Sequence, residues 1–442
     1  VVEEPAVTEP EEAASTEEAA TILEQVPDDT TVTVLNAEGE PQPLTSQESA
    51  DAILTSDPIW CPQNQAPTPG ENGCTISFES FDDLLVFLAD NEDDPAYQQS
   101  GKIYVQMGTY TSDETSIDFN SYGFESLNNY NLTVQGGWDT SGTSINPANP
   151  TVLNVPVVIG TSTNPWAGSL TFDNIQITNV TNQTGLTLYS GADVTLTNVA
   201  VTNSKNGADL NAGGSVTVQD SQFNNNKESG AKVNAGGFVY ITNSEFNDND
   251  YDKDKEDGFG LKVNSQDEVF LDTVYANSNE KFGADITATG SVAVLNSFFD
   301  GNVSYTHNCP IRTCHECEET VNGGYGIKIV SDSTAYLDGV SASGNYLFGA
   351  DITSLDAWVL NSTFTSSEDQ RQGYGLQVLT TGGDGVTLES VHADNNDLFG
   401  ANITAGEEGV VIRSSFFDGN KSYYNSCIGG TKRTCYECTE TY

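Results

Sequence analysis

A short motif that recurs along the chain, glycine–apolar–any–apolar, constrains the fold more than any other feature. It starts at Gly185, Gly207, Gly230, Gly260, Gly283, Gly326, Gly349, Gly375 and Gly400. Several intervals are 22 or 23 residues, and the longer ones contain polar insertions. Self-similarity at such a period is typical of solenoids, in which each repeat stacks on its neighbours.

The residue pattern within each repeat indicates strands rather than helices. Val, Ile, Thr, Leu and Phe alternate with polar residues in short runs, which is the two-residue period of a β-strand. Three short strands and three turns fit a repeat of this length, and the strands of successive rungs then lie about 4.8 Å apart. The sequence therefore predicts an all-β fold, a parallel β-helix.

Two positions of each repeat are apolar throughout, and the position between them is polar. We predict that the residues one and three places after each glycine face the core, because side chains alternate along a strand. The residue between them then faces outward. It places opposite charges on neighbouring rungs in the pairs Asp209–Lys232, Lys262–Asp285 and Lys328–Asp351. Exposed pairs of this kind add little stability but help to set the register.

An asparagine recurs four residues before a rung glycine. The positions are Asn203, Asn226, Asn279, Asn345 and Asn396. Asparagine tolerates the left-handed backbone of a sharp corner, and its amide can bond to copies above and below. We predict a structural asparagine ladder along one corner of the β-helix.

Residues 1–60 and 61–100 differ from the repeats. Residues 1–60 contain no Lys or Arg and many acidic residues, which predicts an extended acidic N-terminal arm. A neighbouring subunit that orders this arm and a linker are both compatible with its composition. In residues 61–100, Cys61 and Cys74 bracket a turn-rich loop, which predicts a local disulfide.

A short helix is predicted to close the N-terminal end of the β-helix. It is amphipathic, with Phe81, Leu84, Leu85 and Leu88 on one face and Ser80 at its N-cap. A terminal rung needs such a cover, because it otherwise exposes apolar core and unpaired strand edges.

Residues 101–442 are assigned to the β-helix, and a larger unit of two rungs repeats from about residue 260. Two copies end in SFFDGN, at 297–302 and 415–420, and each is followed by a loop with three cysteines. No cap is visible after the second copy. We expect either an end that is open to another molecule or a chain that continues.

The formal net charge of −49 limits the possible partners. It repels nucleic acid and anionic membranes and favours solubility or cation binding. No apolar run is long enough to span a bilayer. Eight cysteines, few lysines and a start at Val1 rather than methionine predict a secreted protein whose signal peptide has been removed, at the cell surface or outside the cell.

The two cysteine loops have several interpretations. They contain Cys309, Cys314, Cys317 and Cys427, Cys435, Cys438. Disulfides, with one cysteine of each loop left over for a bridge between subunits, are the leading interpretation. His307 and His315 in the first loop make zinc an alternative, but the second loop has no histidine. Thiol redox chemistry would require a different surrounding fold.

Calcium is the one cofactor that the sequence suggests, and no other cofactor is expected. Alternating carboxylates lie at Asp248, Asp250, Asp252, Asp254 and Glu256. Such groups suit calcium, although the loop lacks EF-hand spacing and is more typical of a solvated loop.

Sequons for N-glycosylation occur in a chain that is rich in Asn and Thr. They lie at Asn131, Asn179, Asn182, Asn302, Asn361, Asn402 and Asn420. Because the motif is short, several would arise by chance.

The first strands resemble a known superfamily. A capping helix, the strand GKIYVQMGTY at Gly101–Tyr110, the segment NLTVQGGWD at Asn131–Asp139 and the punctuated rungs are similar to the pectin-lyase-like right-handed parallel β-helix superfamily. More narrowly, they resemble β-helix repeat proteins of bacterial cell surfaces. The resemblance covers about residue 61 onward and implies right-handedness, but it leaves function open because the superfamily mixes lyases, hydrolases, adhesins and structural proteins.

Three functions are compatible with this fold. A non-enzymatic extracellular structural protein, polymerising head to tail through the solenoid ends and the arm into a filament or sheath, fits most features. An adhesin that binds cell-surface polysaccharide is the alternative, although we identify no aromatic stripe at the rung period. A polysaccharide lyase or hydrolase is the second alternative, but we find no convergent set of catalytic residues, and His392 stands alone.

Overall fold

The structure is a computed structural model. It describes residues 58–110, 115–139, 145–146, 148–249, 258–303, 324–366, 373–406 and 409–420, together with the backbone of four strands at 32–35, 41–44, 424–427 and 438–441. The first 31 residues of the predicted arm lie outside the described part.

Short strands make up most of the described chain. The N-terminal strands are β1 (Val32–Leu35), β2 (Pro41–Leu44), β3 (Ile59–Pro62), β4 (Gly101–Gln106), β5 (Gly108–Tyr110), β6 (Ile117–Asp118), β7 (Leu132–Trp138), β8 (Thr151–Leu153), β9 (Val157–Ile159), β10 (Leu170–Asp173), β11 (Ile175–Thr178), β12 (Thr184–Ser190), β13 (Val194–Thr197), β14 (Ala200–Thr202), β15 (Asn206–Ala212) and β16 (Val216–Gln219).

The strands continue in the same way towards the C-terminus. They are β17 (Ser229–Ala235), β18 (Val239–Glu245), β19 (Phe259–Ser265), β20 (Val269–Tyr275), β21 (Phe282–Ala288), β22 (Val292–Leu295), β23 (Tyr325–Ser331), β24 (Thr334–Asp338), β25 (Phe348–Ser354), β26 (Asp356–Leu360), β27 (Tyr374–Thr380), β28 (Val386–Glu389), β29 (Phe399–Thr404), β30 (Val410–Arg413), β31 (Tyr424–Cys427) and β32 (Cys438–Thr441).

Strands β3 to β30 assemble into three sheets of a solenoid, and β1–β2 and β31–β32 form two separate antiparallel pairs. Sheet 1 has 13 strands in the order β3-β4-β7-β10-β13-β16-β18-β20-β22-β24-β26-β28-β30, and sheet 2 has 11 in the order β29-β27-β25-β23-β21-β19-β17-β15-β12-β9-β6. Sheet 3 is short, β14-β11-β8-β5, and isolated bridges extend its column from Gln222 to Phe416. All pairs in these sheets are parallel except β3 with β4. The predicted parallel β-helix is confirmed.

The register confirms the predicted columns. Asp209 pairs with Lys232, Lys262 with Asp285 and Lys328 with Asp351 on adjacent strands of sheet 2. The Nζ of Lys262 lies 3.9 Å from a carboxylate oxygen of Asp285. The apolar columns on either side are buried in one continuous core, in which Leu188, Leu210, Val233, Val263, Ile286, Ile329 and Ile352 are fully covered or nearly so.

A helix and two short 3-10 turns close the N-terminal end. Helix α1 spans Phe81–Asn91, and the 3-10 turns span Phe119–Tyr122 and Leu127–Asn129. The Ser80 hydroxyl accepts a hydrogen bond from the Asp83 backbone N–H at 3.0 Å, as a helix N-cap does. The four predicted apolar residues of α1 are buried against the core. The predicted cap is therefore present.

The loop before α1 is tied to the first strands. Cys61 and Cys74 form the predicted disulfide, and Trp60 beside it is fully buried. The carboxylate of Glu92 accepts backbone N–H bonds from Glu125, Ser126 and Leu127. These contacts fasten the end of α1 to the first rungs.

Candidate functional site

A buried asparagine ladder joins successive rungs at the corner before sheet 2. The backbone N–H and the side-chain amide of each member donate to the Oδ1 of the asparagine on the next rung. These bonds run from Asn226 to Asn249, from Asn249 to Asn279, from Asn279 to Asn302, from Asn302 to Asn345 and from Asn396 to Asn420, at 2.8–3.2 Å. Asn249, Asn302 and Asn420 were not predicted.

Asn203 is not a member of the ladder, and this prediction is wrong by one residue. Ser204 donates its backbone N–H to Asn226 Oδ1 at 3.0 Å, while Asn203 is exposed with φ 53°. The left-handed corner residue precedes the ladder member on other rungs too, as at Asn225 and Asn395. On these rungs the left-handed asparagine forms the corner, and the asparagine that follows it forms the hydrogen bonds to the next rung.

A ladder of aromatic side chains runs beside the asparagine ladder. This corrects our expectation that no aromatic stripe recurs at the rung period. Its members precede the rung glycines at Phe259, Phe282, Tyr325, Phe348, Tyr374 and Phe399, in adjacent register. Ring centroids from Phe282 to Phe399 are 5.0, 4.9, 4.6 and 5.6 Å apart. Because these rings stack on one another, their faces are not free to stack on a sugar.

Both ladders end at the last described rung, which consists of β29 and β30. Its inward positions are open: Val410 is 44% and Ile412 51% exposed, whereas their partners on the preceding rung, Val386 and Leu388, are 1% and 0% exposed. Phe399 is also half-exposed, and among the described residues no ladder partner follows Asn420. The rung of β29 and β30 covers the core positions of the preceding rung, but no described residue covers its own core positions.

A half-buried carboxyl lies on the outer face of sheet 1. Burial raises the pKa of Asp173, against the opposing effects of a hydrogen bond from Gln135, at 2.6 Å, and the charge of Lys102. The next carboxylate in its column is Asp272, four strands away. That is roughly 19 Å at the usual strand spacing, too far for the paired carboxylates of a glycoside hydrolase.

An uncharged groove lies near the capped end. One pocket of about 250 Å³ has a floor of Phe119, Phe124 and Trp166. A second hollow of about 380 Å³ adjoins it, since both are lined by Thr161 and Pro165. Sequence reasoning missed this groove, because its walls come from six separate segments of the chain.

A row of partly buried amides lines the second hollow. Asn264 donates to Asn234 Oδ1 at 2.9 Å, Asn234 donates to Asn211 Oδ1 at 2.7 Å, and Asn211 donates to Asp209 at 3.0 Å. The three asparagines occupy the same column of sheet 2 on successive rungs.

The other predicted sites fall partly outside the described residues. Those outside are Asp250, Asp252, Asp254, Glu256, Cys309, Cys314, Cys317 and Cys435. Asp248 is an exposed left-handed corner residue before Asn249. For Cys427 and Cys438 the backbone is described, and the two positions face each other in the antiparallel pair β31–β32.

The sequon asparagines have different environments. Asn302 is fully buried in the ladder, so a glycan there is incompatible with the folded rung. Asn131, Asn179, Asn182, Asn361 and Asn402 are exposed, whereas Asn420 is partly covered. Their glycosylation stays a prediction.

The described residues hold no group of three or more His, Cys, Asp or Glu side chains arranged to bind a metal ion. In the same part of the chain, no helix combines the length and apolarity that a membrane crossing requires.

Comparison with known proteins agrees with the architecture. Residues 157–314 match a family described as "Right handed beta helix region". A crystal structure of pectate lyase Pel9A is similar over 61% of this chain and 71% of its own, at 17% identity and a TM-score of 0.33, and this likeness carries no argument about activity. No curated protein matches significantly. The stacked parallel rungs of the structure thus agree with the right-handed β-helix family that residues 157–314 resemble.

Proposed function

We propose that this protein is a non-enzymatic structural protein outside the cell, the subunit of a cell-surface filament or sheath. In this assembly each subunit binds the next head to tail. The disulfide between Cys61 and Cys74 supports an oxidising, extracellular setting.

The exposed apolar columns of the last described rung support the proposal. Val410 and Ile412 occupy columns that are buried on every preceding rung of sheet 1 from β10 to β28. Covering an aliphatic side chain of this kind contributes about 1.5–3 kcal/mol. A partner that supplies a further strand would bury both side chains and satisfy the free strand edges.

The acidic arm of a second copy is the partner that the charges favour. Residues 1–60 contain no Lys or Arg, whereas residues 401–442 contain four of the chain's 15 basic residues (Arg413, Lys421, Lys432 and Arg433) against five acidic ones, so their charge is nearly balanced. The arm also contains the antiparallel strands β1 and β2. An acidic segment with strand-forming sequence suits addition to the edge of β29 or β30.

Direct stacking of one β-helix on another does not fit this geometry. Helix α1 covers the first rungs with Phe81, Leu84, Leu85 and Leu88. An incoming rung would have to displace this buried cap. The head-to-tail contact is therefore assigned to the arm, and the rod between the two contacts acts as a rigid spacer.

The decisive experiment is negative-stain electron microscopy with sedimentation velocity on the full chain at low and high salt. We expect filaments that shorten at high salt, because salt screens the attraction between the carboxylates of the acidic arm and basic residues such as Arg413. Ile412→Asp and Arg413→Glu should each reduce polymer length, since one places a charge in the apolar contact and the other reverses a contact charge.

Two matched variants serve as controls. Leu355→Asp introduces the same charge at a side chain with 39% exposure on the side of the rod, and Lys227→Glu reverses an exposed charge elsewhere. Neither should change polymer length. Monomers under all conditions, or equal losses in test and control variants, would contradict the proposal.

A further inference from the structure

The groove near the capped end is uncharged, although the protein around it is strongly acidic. Its two hollows are lined by aromatic, amide, hydroxyl, proline and small residues, without any Asp, Glu, Lys or Arg. The chain as a whole has 64 acidic and 15 basic residues. A bound polyanion would meet no cation in the lining and would be repelled by the net charge. A cation would find no carboxylate in the lining itself, and the adjoining Asp209 carboxylate already accepts a hydrogen bond from Asn211.

The amide row offers hydrogen-bond donors at a regular spacing. Each side-chain amide nitrogen has two hydrogens. Asn211, Asn234 and Asn264 each use one of them along the row, so the second hydrogen of each remains for a ligand. The three donors repeat at the strand spacing of about 4.8 Å, which favours an extended ligand that lies along the rod.

The smaller pocket adjoins the hollow that contains this row, and its lining includes both aromatic rings and side-chain amides. Its aromatic floor is almost fully buried, with Trp166 at 4% exposure, and its rim carries Asn128 and Asn164. Neither of these two side-chain amides bonds to another described residue in the structure. A pocket of about 250 Å³ is smaller than typical drug-binding pockets. It therefore suits one small ring rather than a large apolar ligand.

Backbone packing keeps the groove open. A Cβ at Gly160 would lie 2.3 Å from the Tyr189 carbonyl oxygen, and one at Gly213 would lie 2.4 Å from the Gly191 oxygen. Both positions line the groove. Because no side chain fits at Gly160 or Gly213, neither position can project a side chain into the groove, and the amides remain accessible to a ligand.

We propose that this groove binds a neutral oligosaccharide, with one sugar unit in the aromatic pocket and the following units along the amide row. Hydroxyl groups can accept from the free amide hydrogens and donate to the amide oxygens. An uncharged polyol avoids the electrostatic repulsion that the protein imposes on an acidic polysaccharide. The site is separate from the terminal rung, so the proposal does not depend on self-assembly.

Isothermal titration calorimetry on the full chain tests this site. The probes are cellohexaose, mannohexaose, maltohexaose and laminarihexaose, with hexagalacturonate as the charged comparison. We expect at least one neutral hexasaccharide to bind and hexagalacturonate to bind more weakly. Asn234→Ala should weaken binding about fivefold, the effect of one hydrogen bond. Asn128→Asp with Asn164→Asp should weaken it at least about tenfold, because two hydrogen-bonding groups change and charge enters the pocket.

Asn203→Asp is the matched control. It makes the same Asn-to-Asp substitution, with one added charge, at an exposed corner that lines neither hollow, and Asp tolerates the left-handed backbone there. It should bind as the unmodified protein does. An unchanged melting temperature in each variant separates loss of the site from loss of the fold. The proposal is overturned if no neutral probe binds at millimolar concentration, if hexagalacturonate binds as tightly, or if the groove variants bind normally.

Discussion

Asn279 is bonded twice to Asn302 on the next rung: its backbone N–H and its Nδ2 both donate to the same Oδ1, at 2.9 and 3.1 Å. Both asparagines are fully buried. Asn302 repeats the arrangement towards Asn345. A single side-chain oxygen thus satisfies two donors at each step, and the bonds hold neighbouring rungs in one register.

Asn279→Ala should lower the free energy of unfolding by about 2–4 kcal/mol, because it removes side-chain bonds and leaves buried groups unpaired. Urea unfolding followed by tryptophan fluorescence measures the change. Asn402→Ala, at an exposed position of β29, is the control and should change stability by less than about 0.5 kcal/mol. Equal effects at the two positions would argue against a stabilising ladder.

Phe348→Ala should destabilise the rod by about 3–5 kcal/mol, the usual cost of truncating a buried phenylalanine. Phe348 stacks on Tyr325 and Tyr374, and it is 9% exposed. Phe238→Ala removes the same ring at a site with 49% exposure and should cost much less. Thermal unfolding of the two variants compares them, and a similar loss in both would contradict a stacking contribution.

Asp173→Asn should raise the melting temperature at neutral pH. Burial raises the folded-state pKa of Asp173, against the hydrogen bond from Gln135 and the charge of Lys102. Between the unfolded and the folded pKa the native state binds more protons, so stability falls as pH rises through this window. Asn keeps an oxygen that can accept from Gln135. Melting curves from pH 3 to pH 8 should show a flatter profile, and a lower melting temperature at pH 7 would refute this assignment.

Removing the disulfide should loosen the cap and spare the C-terminal rungs. The bridge joins residues 13 apart, and a loop of about this length contributes roughly 3 kcal/mol. In Cys61→Ala with Cys74→Ala, hydrogen exchange should therefore accelerate in β3 and α1. Rungs from β19 onward should be unaffected, because solenoid repeats contact only their neighbours. Uniform acceleration along the rod would show that the cap controls global stability.

The register of β31 and β32 predicts a bridge between Cys427 and Cys438. The two positions face each other in an antiparallel pair, where Cα atoms lie about 4.5 or 5.5 Å apart, within the range of a disulfide. Non-reducing peptide mapping should recover this pair and leave Cys435 for another partner. Recovery of a Cys427–Cys435 or Cys435–Cys438 peptide instead would contradict the register.

Much of the fold could be predicted because each rung repeats the same local pattern. The apolar places after the glycines, the outward charges and the Ser80 cap all follow from residues close together in the sequence. The rule that placed the ladder asparagine four residues before a glycine failed where insertions follow that asparagine. Asn249 and Asn302 are separated from Gly260 and Gly326 by the segments 250–257 and 304–323, so their distance to the next glycine is longer.

The aromatic ladder was overlooked for a related reason. Phe282, Phe348 and Phe399 share the FGA motif, whereas the intervening rungs have YGI at Tyr325 and YGL at Tyr374. Only the stacked register shows that all five rings meet. The uncharged groove was inaccessible to sequence reasoning, because Trp166, Asn234 and Asn264 are distant in the chain and meet only when the rungs stack.

Periodicity alone thus specifies the parallel β-helix, the inward and outward columns and the closed N-terminal end, because side-chain alternation and capping are local properties. The partners across rungs and the position of the groove depend on how far each insertion shifts one rung against the next. The open columns at Val410 and Ile412 are likewise visible only in three dimensions, since their residues look the same as the buried Val386 and Leu388 one rung earlier. Exposure depends on whether another rung covers them, and local sequence does not encode that neighbour.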